Sequence, residues 1–194
     1  MDATKLTLGP MDNNVYIVVC PQTKESLVID ASFDADKIAE AMAGTTPRYI
    51  ILTHGDGDHI DALDALKARL NVPVGIHQAD AGRLSAPADF FIEDGQEISV
   101  GRVTLKTLHT PGHTPGSVCF YVEPAATLFS GDTLFPGGPG ATHDNKDDFA
   151  QIVDGVRAKL FVLPNETAVR PGHGSDTTIG TEKPHLQEWI DRGY

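Results

Sequence analysis

Histidine and aspartate side chains cluster in four short, glycine-containing segments that each follow a predicted strand. In the first, residues 53–59 read Thr-His-Gly-Asp-Gly-Asp-His, which places four potential metal ligands close together. Gly55 and Gly57 let the backbone fold tightly there, so that the side chains can converge. Imidazole nitrogens and carboxylate oxygens are the donors that zinc and related divalent ions accept. A metal site is therefore the chemistry that this segment indicates.

Three further segments carry one candidate ligand each. His113 lies in a loop with two Pro-Gly pairs, Asp132 follows the apolar run 126–130, and His173 follows the run 167–171 between two glycines. Each of them alone could be an ordinary turn residue. Their joint occurrence after strands, in both halves of the chain, is what a dinuclear metal site at one edge of a sandwich requires. The candidate metal ligands are His54, Asp56, Asp58, His59, His113, Asp132 and His173.

The sequence between these segments predicts the elements that position them. Short apolar or β-branched runs bounded by turn residues predict strands at 5–8, 15–20, 26–30, 49–53, 73–76, 98–100, 102–108, 117–122, 126–130 and 167–171. Apolar residues at helical spacing predict helical segments at 34–44, 59–70, 146–160 and 182–191. Strands and then helices occur in the same order in both halves. This order predicts an α/β fold, a four-layer αβ/βα sandwich of two mixed sheets with helices on the outer faces, in one domain over 1–194.

Composition excludes several classes of function. The chain has 194 residues and a formal net charge of −12, which opposes binding to nucleic-acid phosphates. No apolar run approaches the roughly 20 residues that a membrane helix needs, and the first residues do not resemble a secretory signal. We therefore expect no nucleic-acid or membrane partner and a cytoplasmic location. Cys20 and Cys119 lie in apolar runs and are expected to be buried.

The order of the candidate ligands carries a family resemblance over nearly the whole chain. The series His54-x-Asp56-x-Asp58-His59, followed by His113, Asp132 and His173, resembles the metallo-β-lactamase-fold hydrolase superfamily, whose first motif is usually HxHxDH. The PGHTPGS and GDTLF stretches are most similar to its glyoxalase II-like (hydroxyacylglutathione hydrolase-like) branch. The resemblance implies that His54, Asp56 and His113 bind one ion, that Asp58, His59 and His173 bind a second, and that Asp132 bridges them. It also implies that Asp30 supports the ligand loop from below.

Position 56 departs from the family pattern, because an aspartate stands where a second histidine is usual. The carboxylate replaces a neutral imidazole with a shorter, anionic oxygen donor, which shifts metal preference toward manganese or iron relative to zinc. Three outcomes stay open: an intact dinuclear site with Asp56 as a ligand, metal held mainly by the second set, or a change of metal. We favour the intact site, with two divalent ions, zinc ahead of iron or manganese.

The resemblance further implies hydrolase chemistry. A metal-bound hydroxide would attack a polarised carbonyl carbon, and Asp58 would orient the hydroxide or pass on its proton. The chain has no GxSxG motif and no cysteine beside these histidines, which argues against a covalent acyl-enzyme. A thiolate needs little help from a general acid, because its free pKa is about 8.5. A small-molecule thioester, such as that of a hydroxyacyl-thiol, is therefore the expected substrate, with an ester or lactone next.

The remaining histidines receive different interpretations. His143 lies in the glycine-rich loop after Asp132, which is expected to border the substrate pocket, and could touch the substrate. His77, His109 and His185 are expected to be structural or solvent-facing. Of these three, His109 is the best candidate for a residue that supports a metal ligand.

Other functions also come into consideration at this point. One is a mononuclear iron persulfide dioxygenase, since the superfamily that the motifs resemble includes such an enzyme. Another is a metal-binding protein with weak or no catalysis, in which Asp56 makes the first site degenerate. A nuclease is disfavoured by the net charge of −12. Weak β-lactamase activity is compatible with the same attack on a strained amide, although no residue specifically predicts it.

Overall fold

Two six-stranded mixed sheets form the centre of the computed structural model, which describes residues 1–193. The first sheet contains, in spatial order, β1 (Asp2–Leu8), β2 (Asn13–Val19), β3 (Glu25–Ile29), β4 (Thr46–Ile51), β5 (Val74–His77) and β6 (Phe90–Ile92). The second contains β14 (Thr177–Thr178), β13 (Ala168–Pro171), β10 (Thr127–Gly131), β9 (Val118–Val122), β8 (Val103–His109) and β7 (Glu97–Val100). Strands β3 to β6 are parallel, as are β10 and β13, and the other pairs are antiparallel. A small hairpin pairs β11 (Leu134–Phe135) with β12 (Gly138–Pro139).

Short helices connect and cover these strands. The α-helices are α1 (Ala35–Ala41), α2 (Gly57–Ile60), α3 (Leu63–Leu70), α4 (Lys146–Gly155), α5 (Ile179–Glu182) and α6 (Leu186–Arg192). Short segments of 3₁₀ helix lie at Gln78–Arg83, Glu123–Ala125 and Lys183–His185, and a π-helical turn, Val156–Leu160, extends α4. No helix among residues 1–193 combines the length and apolarity needed to cross a lipid bilayer.

Three apolar clusters separate the four layers. In β2, Val15 and Ile17 face the helices α1 and α3, whereas Tyr16 and Val18 face the second sheet. This alternation is the period of two that a strand imposes on its side chains. The third cluster packs the outer face of the second sheet against the helices near the C-terminus, where Trp189 is buried. The arrangement confirms the predicted αβ/βα sandwich.

The predicted single helix over 59–70 is wrong, because the chain forms two helices there with a break at residues 61 and 62. The loop after β3 causes the break. The amide of Ala31 donates to the carbonyl of His59, and the amide of Ala62 donates to the carbonyl of Ala31, each at 2.9 Å. These backbone groups are therefore not available to a continuous helix, and His59 sits on a turn of its own.

Four short strands escaped prediction. Strand β6 has three residues, and β11, β12 and β14 have two each. Such lengths are too short to show the alternation from which strands are recognised. Strands β6 and β14 form because their longer neighbours, β5 and β13, offer free edges, whereas β11 and β12 pair with each other.

Candidate metal centre

The four segments with candidate ligands meet at one edge of the sandwich. His54 follows β4, and His59 lies on the helical turn α2 that comes next. Asp132 follows β10 and His173 follows β13, and these two strands are parallel neighbours. Parallel strands bring the residues after their carboxyl ends to the same edge, where ligand sites of open α/β sheets commonly form. His113 enters from the loop between β8 and β9.

Six of the side chains form two groups of three. We call His54, Asp56 and His113 the first group, and Asp58, His59 and His173 the second group. Within each group the potential ligand atoms lie within 4.8 Å of one another. The composition of the two groups is the one that the family resemblance implies.

Asp132 lies between the two groups. Its Oδ2 is 3.5 Å from Nε2 of His113 and 3.4 Å from Nε2 of His173. Its Oδ1 is 3.4 Å from Nε2 of His59. One carboxylate therefore faces imidazoles of both groups, which is the position required of a bridging ligand.

Each of the four histidines holds its Nδ1 against an oxygen outside the cluster. The partners are Thr53 Oγ1 for His54 (2.9 Å), Asp30 Oδ2 for His59 (3.0 Å), the Ala141 carbonyl for His113 (2.8 Å) and the Met11 carbonyl for His173 (2.9 Å). An Nδ1–H that donates outward leaves the Nε2 lone pair directed at the cluster. Histidines that ligate metals show this same arrangement, because the outer partner sets the tautomer and the ring orientation.

Asp30 organises the base of the cluster, which is the place that the family resemblance implies for it. Its carboxylate accepts hydrogen bonds from the Thr53 amide (2.8 Å), the Thr53 hydroxyl (2.8 Å) and Nδ1 of His59 (3.0 Å). Because the Thr53 hydroxyl gives its one hydrogen to Asp30, it can only accept from Nδ1 of His54. One buried carboxylate thus sets the tautomers of two candidate ligands.

The donor atoms fit divalent cations. Nε2 of His54 and Oδ1 of Asp132 are buried and have no hydrogen-bond partner. Nε2 of His59 and Nε2 of His173 lie 3.1 Å apart, although both are acceptors when Nδ1 carries the proton. Buried acceptors without donors are costly, and a cation among them would satisfy them together.

The histidines of the metal-free cluster titrate in opposite directions. Burial lowers the pKa of His54 to about 4. Burial also opposes the charged form of His59, but the hydrogen bonds that its ring donates to the Asp132 and Asp30 carboxylates outweigh burial and hold the pKa of His59 well above 6.5. The pKa of His173 is raised too, mainly by its hydrogen bond with Asp132. Burial opposes the charged form of His113 as well, but its hydrogen bond to Asp56 and the charge of Asp132 outweigh burial and raise its pKa. The metal-free cluster therefore has one neutral imidazole beside three that favour the charged form.

We expect the metal-free protein to be most stable near neutral pH. A histidine with a raised folded-state pKa stabilises the fold fully below its unfolded value of about 6.5 and loses that contribution as the pH rises through the folded pKa. His59 and His173 follow this sign. His54 has the opposite sign, since its folded state resists protonation and its contribution is lost as the pH falls from about 6.5 toward about 4.

Urea denaturation in the presence of a chelator measures this pH dependence. The free energy of unfolding should fall as the pH rises above about 6.5. Added Zn²⁺ should reverse the fall, because ligation needs the same Nε2 atoms unprotonated. A metal-free stability that rises over this range would contradict the expected titration of His59 and His173.

Asp56 points into the cluster from the position where the family usually has histidine. Its Oδ2 lies 3.2 Å from Nε2 of His113 and 3.9 Å from Nε2 of His54. A hydrogen bond from His113 is the main cause that lowers the pKa of Asp56, so the side chain is an anion at neutral pH. The aspartate therefore reaches the place of the missing imidazole.

A cavity of about 660 Å³ adjoins the cluster and is lined mainly by the loop after Asp132. His143 lines this cavity, and its ring centroid is 6.2 Å from that of His113. Phe135 lines it as well, and its ring centroid is 6.3 Å from that of His173. Two residues of the cavity wall thus lie close to the two groups, although no candidate ligand lines the cavity itself. Its volume is typical of sites for small molecules.

The other histidines do not contact the candidate ligands through their rings. His109 stacks on His77 with ring centroids 4.0 Å apart, and its Nε2 donates to the Pro115 carbonyl at 2.9 Å. His109 thereby holds the loop that contains His113 rather than a ligand side chain. His185 is exposed and pairs with Glu188.

Three residues of the site were missed by sequence reasoning. Asn13 donates from Nδ2 to Oδ2 of Asp58 at 2.8 Å. Asp80 is fully buried and binds the loops of the first group, and Arg83 contacts Asp56. A signal existed for Asp80, because it comes three residues after β5, at the same edge of the sheet. Nothing in the spacing of Asn13 or Arg83 distinguishes them from ordinary surface residues.

Comparison with known protein families agrees with this geometry. Residues 8–173 match the model of the metallo-beta-lactamase superfamily. The chain therefore belongs to the metallo-β-lactamase superfamily, which is a family of metal-binding proteins.

Its relatives include hydrolases. The chain is 36% identical to the probable metallo-hydrolase YqgX of Bacillus subtilis, over 92% of this chain and 93% of that protein. It is 31% identical to the hydroxyacylglutathione hydrolase GloC of Haemophilus influenzae, over 82% of this chain and 85% of that protein. These similarities place the chain among metallo-hydrolases and the glyoxalase II-like proteins.

Solved structures with this fold are similar over nearly the whole chain. BLEG-1, a B3 metallo-beta-lactamase, superposes with a TM-score of 0.88 at 32% identity, covering 95% of this chain and 98% of that one. ETHE1 from Myxococcus xanthus gives a TM-score of 0.88 at 28% identity, and the match covers 100% of this chain and 90% of that one. TTHA1623, solved in a di-iron-bound form, gives a TM-score of 0.79 at 33% identity, and the match covers 93% of this chain and 96% of that one.

Proposed function

We propose that this chain is a dinuclear metal-dependent hydrolase that cleaves a thioester of a small hydroxyacyl-thiol. The observation that carries the proposal is the common orientation of the four imidazoles, each with Nδ1 donating outward and Nε2 directed at three carboxylates. Three carboxylates and four imidazoles, which lose their extra protons when they ligate a metal, suit two divalent cations, with zinc first and iron or manganese as alternatives.

Each residue has a proposed part in this centre. Bound ions would supply an ionised water and polarise the substrate carbonyl. The first group would hold one ion, the second group would hold the other, and Asp132 would bridge them. Asp58, whose Oδ2 is fixed by Asn13 at 2.8 Å, would orient the attacking water and accept its proton.

The environment of the centre supports a thioester as substrate. Both cysteines are buried, and neither belongs to the two groups, which leaves no thiol of the chain placed for covalent catalysis. A leaving thiolate has a free pKa of about 8.5 and so departs without a strong general acid. The cavity beside His143 and Phe135 would receive the acyl group or the carrier, and His143 would contact it.

The test is hydrolysis of a simple probe, S-lactoyl-N-acetylcysteamine, by protein stripped with a chelator and reloaded with Zn²⁺. We expect no turnover without metal and restored turnover near two equivalents per chain, which elemental analysis measures. The matching oxygen ester and a lactone serve as controls for the leaving group. Full loading without turnover of any of the three would instead support a metal-binding protein without catalysis.

A second function, oxidation of a persulfide at a single iron, is favoured by the donor set. Each group combines two histidines with one carboxylate, which is also the set that non-haem Fe(II) oxygenases use. The similarity to ETHE1 over the whole chain adds support. Protein loaded with Fe²⁺ should then consume O₂ when glutathione persulfide is added. Consumption of O₂ by the iron form, together with no thioester hydrolysis by the zinc form, would select this alternative.

A further inference from the structure

Arg83 contacts Asp56 on the side of the carboxylate that faces away from the cluster. Nη1 of Arg83 donates to Oδ1 of Asp56. The other oxygen, Oδ2, faces Nε2 of His113 at 3.2 Å and Nε2 of His54 at 3.9 Å. The two oxygens thus have separate partners, one the guanidinium and the other the first group.

The turn that carries Arg83 is anchored to the loops of the first group. Asp80, in the same 3₁₀ turn, accepts from the Gly55 amide at 2.9 Å and from the Thr114 hydroxyl at 2.6 Å through Oδ2. Its Oδ1 accepts from the Gly116 amide at 2.8 Å. Gly55 lies between His54 and Asp56 in the chain, and Thr114 follows His113. Arg83 is therefore held at a fixed place relative to all three residues of that group.

The stem of Arg83 also packs directly on the ligand loop. A Cβ added at Gly55 would lie 2.8 Å from Cδ of Arg83 and 3.0 Å from its Cβ. Only a glycine leaves room for this approach. The aliphatic stem of Arg83 therefore lies against the backbone of this loop, although the side chain as a whole is 44% exposed.

Charge explains why such a contact matters at this position. Asp56 brings an anion to a place where the family usually has a neutral imidazole. An aspartate is also shorter and can rotate to offer either oxygen or both. An arginine that binds one oxygen offsets the added charge and leaves a single oxygen for an ion.

We propose that Arg83 is a positioning residue for the first metal site, which holds Asp56 as a ligand through one oxygen and balances its charge. This inference rests on the proposed metal centre but not on thioester hydrolysis. It makes the aspartate at 56 and the arginine at 83 a functional pair. Replacing Asp56 with histidine should remove the need for Arg83.

A double-mutant cycle tests the pair. The affinity for Zn²⁺ of the wild type, Arg83→Gln, Asp56→His and the double variant is measured by competition with a chromogenic chelator, which resolves the two equivalents. Loss of a residue that orients a ligand typically weakens metal binding about 10- to 100-fold. For the ion bound by the first group, we expect Arg83→Gln to weaken Zn²⁺ binding by this factor in the wild type. In the Asp56→His background the same substitution should weaken it by less than about twofold. The affinity for the ion bound by the second group should not change in either background.

Other outcomes would overturn the inference. An equal loss in both backgrounds would mean that Arg83 supports the fold and does not act through Asp56. Unchanged Zn²⁺ affinity in Arg83→Gln would mean that the guanidinium does not contribute to metal binding. A higher affinity would mean that the guanidinium competes with the ion for Asp56. Arg83→Lys keeps the charge but not the geometry of the pair, so it should recover part of the affinity, and circular dichroism checks that each variant is folded. Because the readout is metal affinity, a cycle that shows coupling stands even if the thioester probe is not cleaved.

Discussion

Asp132→Asn is expected to abolish turnover of the thioester probe and to lower the metal content of the purified protein. The carboxylate faces His113 at 3.5 Å and His173 at 3.4 Å through Oδ2, so it serves both groups at once. An asparagine has the same shape but no charge, and its amide hydrogens would face acceptor nitrogens. We expect turnover to fall by at least about 10³-fold, which corresponds to ~4 kcal/mol of transition-state stabilisation.

Elemental analysis and probe hydrolysis, measured on the same preparation, check this expectation. Metal content should fall from two equivalents to about one or fewer, because neither group retains a shared ligand. Asp36→Asn provides a matched control, since this residue lies on α1, is 67% exposed at its side chain and pairs only with Arg69 among the ion pairs found. Asp132→Asn with two ions and normal turnover would remove Asp132 from the proposed centre.

Asp80→Ala is expected to cause the largest loss of stability among the substitutions considered. The carboxylate is fully buried and accepts three hydrogen bonds, from Gly55, Thr114 and Gly116. Hydrogen bonds to a charged group contribute about 1.5–3 kcal/mol each, and amides left without a partner add a further cost. We expect a loss of about 4 kcal/mol, a large fraction of the 5–15 kcal/mol typical of a folded domain.

Urea denaturation of the metal-free protein measures this loss without a contribution from bound ions. Asp89→Ala is the matched control, because its carboxylate also accepts a backbone hydrogen bond, from the Val74 amide at 2.7 Å, but is 39% exposed. For Asp89→Ala we expect the free energy of unfolding to fall by about 1 kcal/mol. If both variants lost the same amount, Asp80 would not be the anchor that its contacts indicate.

Much of the centre could be located from sequence because each candidate ligand follows a strand. An apolar run that ends in a glycine-rich turn marks the edge of a sheet, and His54, Asp132 and His173 all follow such runs. The layer order followed from the same runs. The break between α2 and α3 could not be predicted, because it depends on hydrogen bonds to Ala31, which is remote in sequence.

Apart from Asp30, the outer partners of the ligand histidines could not be predicted, for a physical reason. The Met11 carbonyl that accepts from His173 belongs to a residue 162 positions away, at the turn between β1 and β2. Any residue offers a carbonyl, so the identity of Met11 contains no signal. Arg83 was missed for a related reason, since the short 3₁₀ segment that carries it has no periodic pattern.

The division of the cluster between the two sheets has a consequence for the integrity of the molecule. His59 comes from the first half and His173 from the second, 114 positions apart, and their Nε2 atoms are 3.1 Å from one another. An ion held by the second group would therefore act as a reversible cross-link between the two halves at this edge of the sandwich. A ligand that binds only the folded state stabilises it by about 2.7 kcal/mol at 100 times its Kd. The concentration of free metal would thereby set how often the two halves separate locally at this edge. At low metal concentration we expect proteases to cleave the chain there before the apolar layers unfold.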